Sequence, residues 1–173
     1  MSAASQHPAQ ASPQVKVLMV CMGNICRSPL AQAVLEAKAH QAGMANTLII
    51  DSAGTHAYHV GEAPDPRSLA VAKQHGYDCS GQRARHLSPA DAETYDLLLV
   101  MDKRNLRDAK AILGSAAEGK LQLLLDFSTD PLTETEVPDP YFGGDDGFTH
   151  VLRLVESGCD GLLAHLRTRY ALS

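Results

Sequence analysis

Cys21 and Arg27 bracket the segment Cys21-Met22-Gly23-Asn24-Ile25-Cys26-Arg27-Ser28, which joins a thiol to a guanidinium across five intervening residues. A loop of that length can curl so that its backbone N–H groups and the N-terminus of a following helix converge on one anion, an arrangement the helix dipole also favours. Gly23 is expected to supply the backbone angles of the curl. The planar fork of Arg27 can grip two oxygens of a phosphate and stay with them as the phosphoryl group moves, which a lysine would do poorly. A thiol among the same donors ionises more readily than a free one, because each donor stabilises a thiolate as it would a phosphate. Cys21 is therefore expected to attack phosphorus, with Ser28 donating to the sulfur or easing its later departure. Without this context, Cys21 would be a buried cysteine at a strand end and Arg27 a surface residue.

The flanking sequence supplies that context. Residues 15–20 form a short, nearly all-apolar run rich in β-branched side chains, as expected of a parallel strand covered on both faces. Ser28 and Pro29 occupy the places of an N-cap and a first helical residue, and Leu30, Val34 and Leu35 follow at helical spacing. Further strands are expected over 47–52, 95–101 and 121–125. Further helices are expected over 67–75, 103–113 and 147–170, the last with a weak point at Gly158 and Gly161. Alternating strands and helices predict a single α/β domain: an open four-stranded parallel sheet with helices on both faces and the phosphate-binding loop after its first strand. Ligands of such sheets bind beyond the carboxyl ends of the strands, where Cys21 lies.

The chain of 173 residues, 45% hydrophobic and 20% charged, suffices for one core. The expected division is a flexible tail over 1–14, built of Ala, Ser, Gln and Pro, and a domain over 15–173. A net charge of −5 argues against binding nucleic acid by general attraction. No apolar run approaches the ~20 residues of a membrane-spanning helix. The N-terminus lacks the blocks of a secretory signal, and Cys21, Cys26, Cys79 and Cys159 have no paired metal spacing, so a reducing, cytoplasmic setting fits best. Neither a metal nor another cofactor is expected.

Cleavage of a phosphate ester needs a proton for the leaving oxygen. Asp139, between Pro138 and Pro140, has a backbone restricted enough to aim a short carboxyl, and by its residues alone is equally a turn residue. Cys26 is either a second reactive thiol in the loop or a small buried hydrophobe.

The stretch from Val20 to Pro29 closely resembles the signature of the low-molecular-weight protein tyrosine phosphatases. The resemblance extends from Val15 to the C-terminus through Asp51-Ser52-Ala53-Gly54-Thr55, His59-Val60-Gly61, Pro64-Asp65-Pro66-Arg67, Met101-Asp102 with Asn105-Leu106, and Val137-Pro138-Asp139-Pro140-Tyr141. It implies hydrolysis of phosphotyrosine through a phosphocysteine on Cys21, with Arg27 binding phosphate together with the loop residues Met22, Gly23, Asn24, Ile25, Cys26 and Ser28. Asp139 is then the general acid, then the base. The resemblance also implies that Asn24 and Ser52 hold the loop in shape, and that Cys26 closes a reversible disulfide with Cys21 under peroxide. Gln82 stands where many members carry a supporting histidine, and Gln does not titrate. Tyr58, Tyr141 and Phe142 fall on the loops that wall the pocket in the resembling fold, where they would sandwich a phenyl ring and hold out the short side chain of phosphoserine.

The implied partners are tyrosine-phosphorylated proteins and small aryl phosphates, and the exposed aromatics suit a monomer or weak homodimer. Three alternatives are set against this. Phosphoarginine phosphatases of the family tend to carry threonine at the position of Ile25. Arsenate reductases relay electrons through further cysteines, and Cys79 and Cys159 form no close pair. A non-catalytic phosphotyrosine-binding module would have no use for Cys21 and Asp139 together.

Overall fold

The computed structural model describes residues 14–130 and 134–170. The tail expected over 1–14 lies, except for Gln14, outside the described residues. The elements in chain order are β1 (Val15–Cys21), α1 (Arg27–Gln41), β2 (Leu48–Gly54), α2 (Pro66–Gln74), α3 (Asp91–Thr94), β3 (Leu97–Val100), α4 (Lys103–Leu113), β4 (Leu121–Leu123) and α5 (Asp145–Arg169). Short 3-10 turns cover Gly114–Ala117 and Leu124–Phe127.

The four strands form one parallel sheet in the order β2-β1-β3-β4. Alternation along β1 divides its side chains between two cores. Val17, Met19 and Cys21 pack with Leu30, Val34 and Leu35 of α1, Val71 of α2, and Val155 and Leu162 of α5. Leu18 and Val20 pack with Ala92 of α3, Leu98 and Val100 of β3, and Ala109 and Leu113 of α4. Helices thus cover both faces. From β1 the chain passes to β2 on one side and then crosses to β3 on the other. The switch in strand order lies between β1 and β3, and the crevice it opens begins at Cys21 and Met101.

Local structure departs from the sequence expectation in four places. The first helix begins at Arg27 with Cys26 at its N-cap, so Ser28 and Pro29 sit inside the first turn, and the Ser28 hydroxyl serves the loop. The helix over Asp91–Thr94 had no clear signal in its four residues. The third and fourth strands are shorter than their apolar runs, the fourth ending where Leu124–Phe127 coils into a 3-10 turn. Finally, α5 continues through Gly158 and Gly161. These glycines are contact points: a Cβ on Gly158 would approach Leu124 Cγ to 2.8 Å, and one on Gly161 would overlap the Phe127 carbonyl.

Candidate active site

The loop from Cys21 to Arg27 is shaped by Asn24. Its backbone is left-handed, with φ of 58°, and its buried side chain uses every hydrogen-bonding group it has near it. Nδ2 donates to Ser28 Oγ at 2.7 Å and to Ser52 Oγ at 2.9 Å, and Oδ1 accepts from the Arg85 N–H at 3.0 Å. The expectation that Gly23 would adopt the special angles is therefore corrected: Asn24 tolerates them because its amide bonds locally. At Gly23 a Cβ would lie 3.0 Å from His59 Cδ2, a tight contact that the part-exposed His59 ring would have to yield to.

The chain of support extends outward. Ser52 Oγ donates to Gln82 Oε1 at 3.3 Å, and Gln82 Nε2 donates to the Pro29 carbonyl at 3.0 Å. The loop also lies directly on the end of β2. A Cβ on Gly54 would come within 2.6 Å of the Met22 carbonyl, so only glycine fits, and the Thr55 and His56 amides donate to the Cys21 and Met22 carbonyls. On its other flank, the Asp65 N–H donates to the Ile25 carbonyl and the Ser68 hydroxyl to the Cys26 carbonyl. The carbonyls of Cys21, Met22, Ile25 and Cys26 are thereby held. Among the described residues, the amides of Met22, Gly23, Asn24, Ile25 and Cys26 donate to no protein acceptor. N–H groups without protein acceptors at a helix N-terminus can converge on an anion.

Cys21 is 2% exposed, with its sulfur 3.1 Å from Ser28 Oγ. Arg27, also 2% exposed, is aimed by an acceptor pair that sequence reasoning did not name: Nη1 donates to Asp102 Oδ2 at 2.6 Å and to the Val137 carbonyl at 3.1 Å. Burial works against the guanidinium charge, but Cys21, Asp102 and Asp139 outweigh it and hold Arg27 firmly protonated. Asp102 is itself fixed as the N-cap of α4, in a reciprocal capping box with Asn105. Arg27 Nη2 lies 3.8 Å from Asp139 Oδ2, which brings the predicted acid to the mouth of the loop. The turn role of Asp139 is real too, because its Oδ1 accepts from the Tyr141 N–H at 3.0 Å.

These groups share one cleft of about 270 Å³. Cys21, Met22, Gly23, Ile25, Cys26 and Arg27 form its floor, and Tyr58, His59, Asp139, Tyr141 and Phe142 its walls. Tyr58 is 71% and Phe142 95% exposed, so the rim aromatics are not packed in the core. Tyr58 stacks on His56 at 5.2 Å, and Tyr141 meets Phe142 edge-on at 4.9 Å. Asn24, Ser28, Ser52 and Gln82 stand behind the floor rather than in the cleft. Sequence reasoning gave no role to His59, Asp102 or Arg67, although each stood inside a matched motif.

Cys79 and Cys159 are buried away from the cleft. Burial pushes the Cys79 thiol up to about 11 and the Cys159 thiol higher still. Burial, reinforced by Asp65, Cys21 and Asp139, likewise pushes the Cys26 thiol up, so it stays protonated beside Cys21. No three His, Cys, Asp or Glu side chains among the described residues converge as metal ligands, and no helix among them is long and apolar enough to cross a membrane.

A family model described as low molecular weight phosphotyrosine protein phosphatase matches residues 16–171. A Synechocystis sp. protein, provisionally named a low molecular weight protein-tyrosine-phosphatase, is 44% identical over 156 residues, which are 88% of this chain and 96% of that one. Among solved structures, a protein tyrosine phosphatase from Entamoeba histolytica superposes with a TM-score of 0.85 at 35% identity, covering 90% of this chain and 99% of that one. A Drosophila arginine phosphatase superposes with a TM-score of 0.81 at 31% identity, covering 88% and 98%.

Proposed function

The chain belongs to the low molecular weight phosphotyrosine protein phosphatase family, and from this premise we propose that it hydrolyses phosphotyrosine and related aryl phosphates through a phosphocysteine on Cys21. The observation that carries the roles is the single cleft in which Cys21, the free loop amides, Arg27 and Asp139 face one another. The Cys21 thiolate attacks phosphorus in line with the departing phenol. The loop amides and the free edge of Arg27 hold the equatorial oxygens, where charge must be stabilised as the P–O bond breaks. Asp139 gives its proton to the leaving oxygen. In the second step the Asp139 carboxylate takes a proton from water, which attacks the phosphocysteine and releases inorganic phosphate and the thiolate. Ser28 accepts from Asn24 and directs its own proton to the sulfur, easing that departure.

The walls favour tyrosine. Tyr58, Tyr141 and Phe142 offer ring faces and edges to a phenyl group, and Ile25 presents only carbon to the cleft, which suits a phenyl ring better than a guanidinium. Tyrosine-phosphorylated proteins are the partners this implies. Electron relay to an arsenate is disfavoured by the burial of Cys79 and Cys159 outside the cleft. We read Cys26 as a resolving thiol for an oxidised Cys21, because both line the same floor.

The test is steady-state hydrolysis of p-nitrophenyl phosphate and phenyl phosphate in chelator. Turnover by the parent should vanish in Cys21→Ser, a loss of roughly a thousandfold or more. In Asp139→Ala it should fall roughly a hundredfold, with the greater loss on phenyl phosphate, whose leaving group needs the proton more. A parent without turnover under reducing conditions would overturn the enzyme reading.

A further inference from the structure

Arg67, the second residue of α2, binds two separate parts of the site. Its Nε and Nη2 donate to the two oxygens of Asp65, each at 3.0 Å. Nη2 also donates to the Tyr141 carbonyl at 3.0 Å and Nη1 to the Gly143 carbonyl at 3.3 Å. The guanidinium carbon lies 5.6 Å from the Tyr141 ring centroid and 4.5 Å from that of Phe148, within cation–π range of both. Asp65 reaches the phosphate loop through its N–H, which donates to the Ile25 carbonyl at 2.8 Å. Tyr141 reaches the acid through its own N–H, which donates to Asp139 Oδ1 at 3.0 Å. Beside the direct contacts of Arg27 with Val137 and Asp139, a second path from the nucleophile's loop to the acid's loop therefore runs through Asp65, Arg67 and Tyr141.

The acid's loop has few other anchors. Upstream, the Val137 amide donates to the Met101 carbonyl at 2.8 Å and the Val137 carbonyl accepts from Arg27 Nη1 at 3.1 Å. Downstream of Pro140, residues Tyr141, Phe142, Gly143 and Gly144 are exposed. We propose that Arg67 is a positioning residue for proton transfer, holding Asp139 at its working distance from the phosphate loop by tying Tyr141 and Gly143 to Asp65. A lysine has one donor centre and cannot span a carboxylate and two carbonyls at once. The role rests on Asp139 being the general acid.

Measuring kcat/KM for p-nitrophenyl phosphate and phenyl phosphate isolates steps up to P–O cleavage and tests both assignments. Arg67→Met should lose about tenfold on phenyl phosphate and only about twofold to threefold on p-nitrophenyl phosphate, since misplacing a catalytic group costs most where that group is needed most. Arg67→Lys should fall between Arg67→Met and the parent, which provides a reading even if the methionine variant folds poorly. Combining Arg67→Met with Asp139→Ala should add no loss beyond Asp139→Ala alone. A leaving-group-dependent loss in Asp139→Ala with an equal loss on both substrates in Arg67→Met and Arg67→Lys would overturn the positioning role and leave the acid assignment standing. So would a double variant that loses the full product of the two single losses. A loss in Asp139→Ala that is equal on both substrates would overturn the acid assignment, and the positioning role with it.

Discussion

Cys26 shows how the surroundings of a side chain settle what it can do. Its raised thiol stays protonated and leaves phosphate to Cys21, and it is the shared floor with Cys21, not ionisation, that supports reading it as the partner of an oxidised Cys21. Peroxide would convert the Cys21 thiol to a sulfenic acid. Attack by the Cys26 sulfur would then form a disulfide and release water. Inactivation by mild peroxide should accordingly be reversed by a thiol reductant in the parent and largely irreversible in Cys26→Ser, where mass spectrometry should find Cys21 sulfinic or sulfonic acid. Irreversible loss in the parent would remove the protective role. At this scale the meeting of Cys21 and Arg27 in one cleft was legible in their types and spacing, and that of Asp139, equally a turn residue by itself, through the family resemblance. Asp102 was not, since it lies 75 residues from Arg27 and acts only through a fold that brings them to 2.6 Å. Nor was the left-handed backbone of Asn24, which depends on Ser28, Ser52 and the Arg85 amide meeting its side chain.

Among the elements, α2 illustrates how a cap can also be a charge pair. Asp65 caps the helix through the Arg67 N–H at 2.8 Å and pairs with the Arg67 side chain. Burial opposes its ionisation, but the Arg67 hydrogen bonds and charge prevail and hold the carboxyl below its ordinary range. A group depressed on folding stabilises the protein above its unfolded value, near pH 4, and loses that contribution as pH falls through the lower folded value. Asp65→Asn, which can still cap, should therefore be less stable than the parent by about 1 kcal/mol at pH 7. Urea unfolding at a series of pH values should show this gap closing below about pH 4. A gap that stays constant down to the lowest pH at which the parent remains folded would assign the effect to capping geometry rather than charge. The elements themselves follow from apolar runs and periodicity, but their edges obey tertiary demands. Ser28-Pro29 looked like a helix start, yet the helix begins earlier because the Ser28 hydroxyl is engaged with Asn24 and Cys21. Gly158 and Gly161 looked like a break, yet they let α5 lie against Leu124–Phe127.

For the whole molecule, the alternation of strands and helices was enough to predict a doubly wound parallel sheet with its ligand crevice after β1. The partnership of distant loops at that crevice was beyond a linear reading. The cleft draws on the end of β1, the start of α1, the loop after β2 and the segment before α5, so an anion bound there should stabilise the whole fold. Inorganic phosphate at 100 times its dissociation constant should add about 2.7 kcal/mol to the unfolding free energy, visible as a rise in Tm. Arg27→Lys should show a much smaller rise, and an equal rise in both proteins would mean that phosphate binds elsewhere. The open amides of Met22 to Cys26 carry one more implication. In the proposed reaction they would face phosphate oxygens that the ester and the free anion have in common, so a cradle that receives the substrate would also retain what is left after hydrolysis. Throughput should then respond to the surroundings: accumulated phosphate should slow the next turnover and its removal restore the rate, an end-product brake made of backbone.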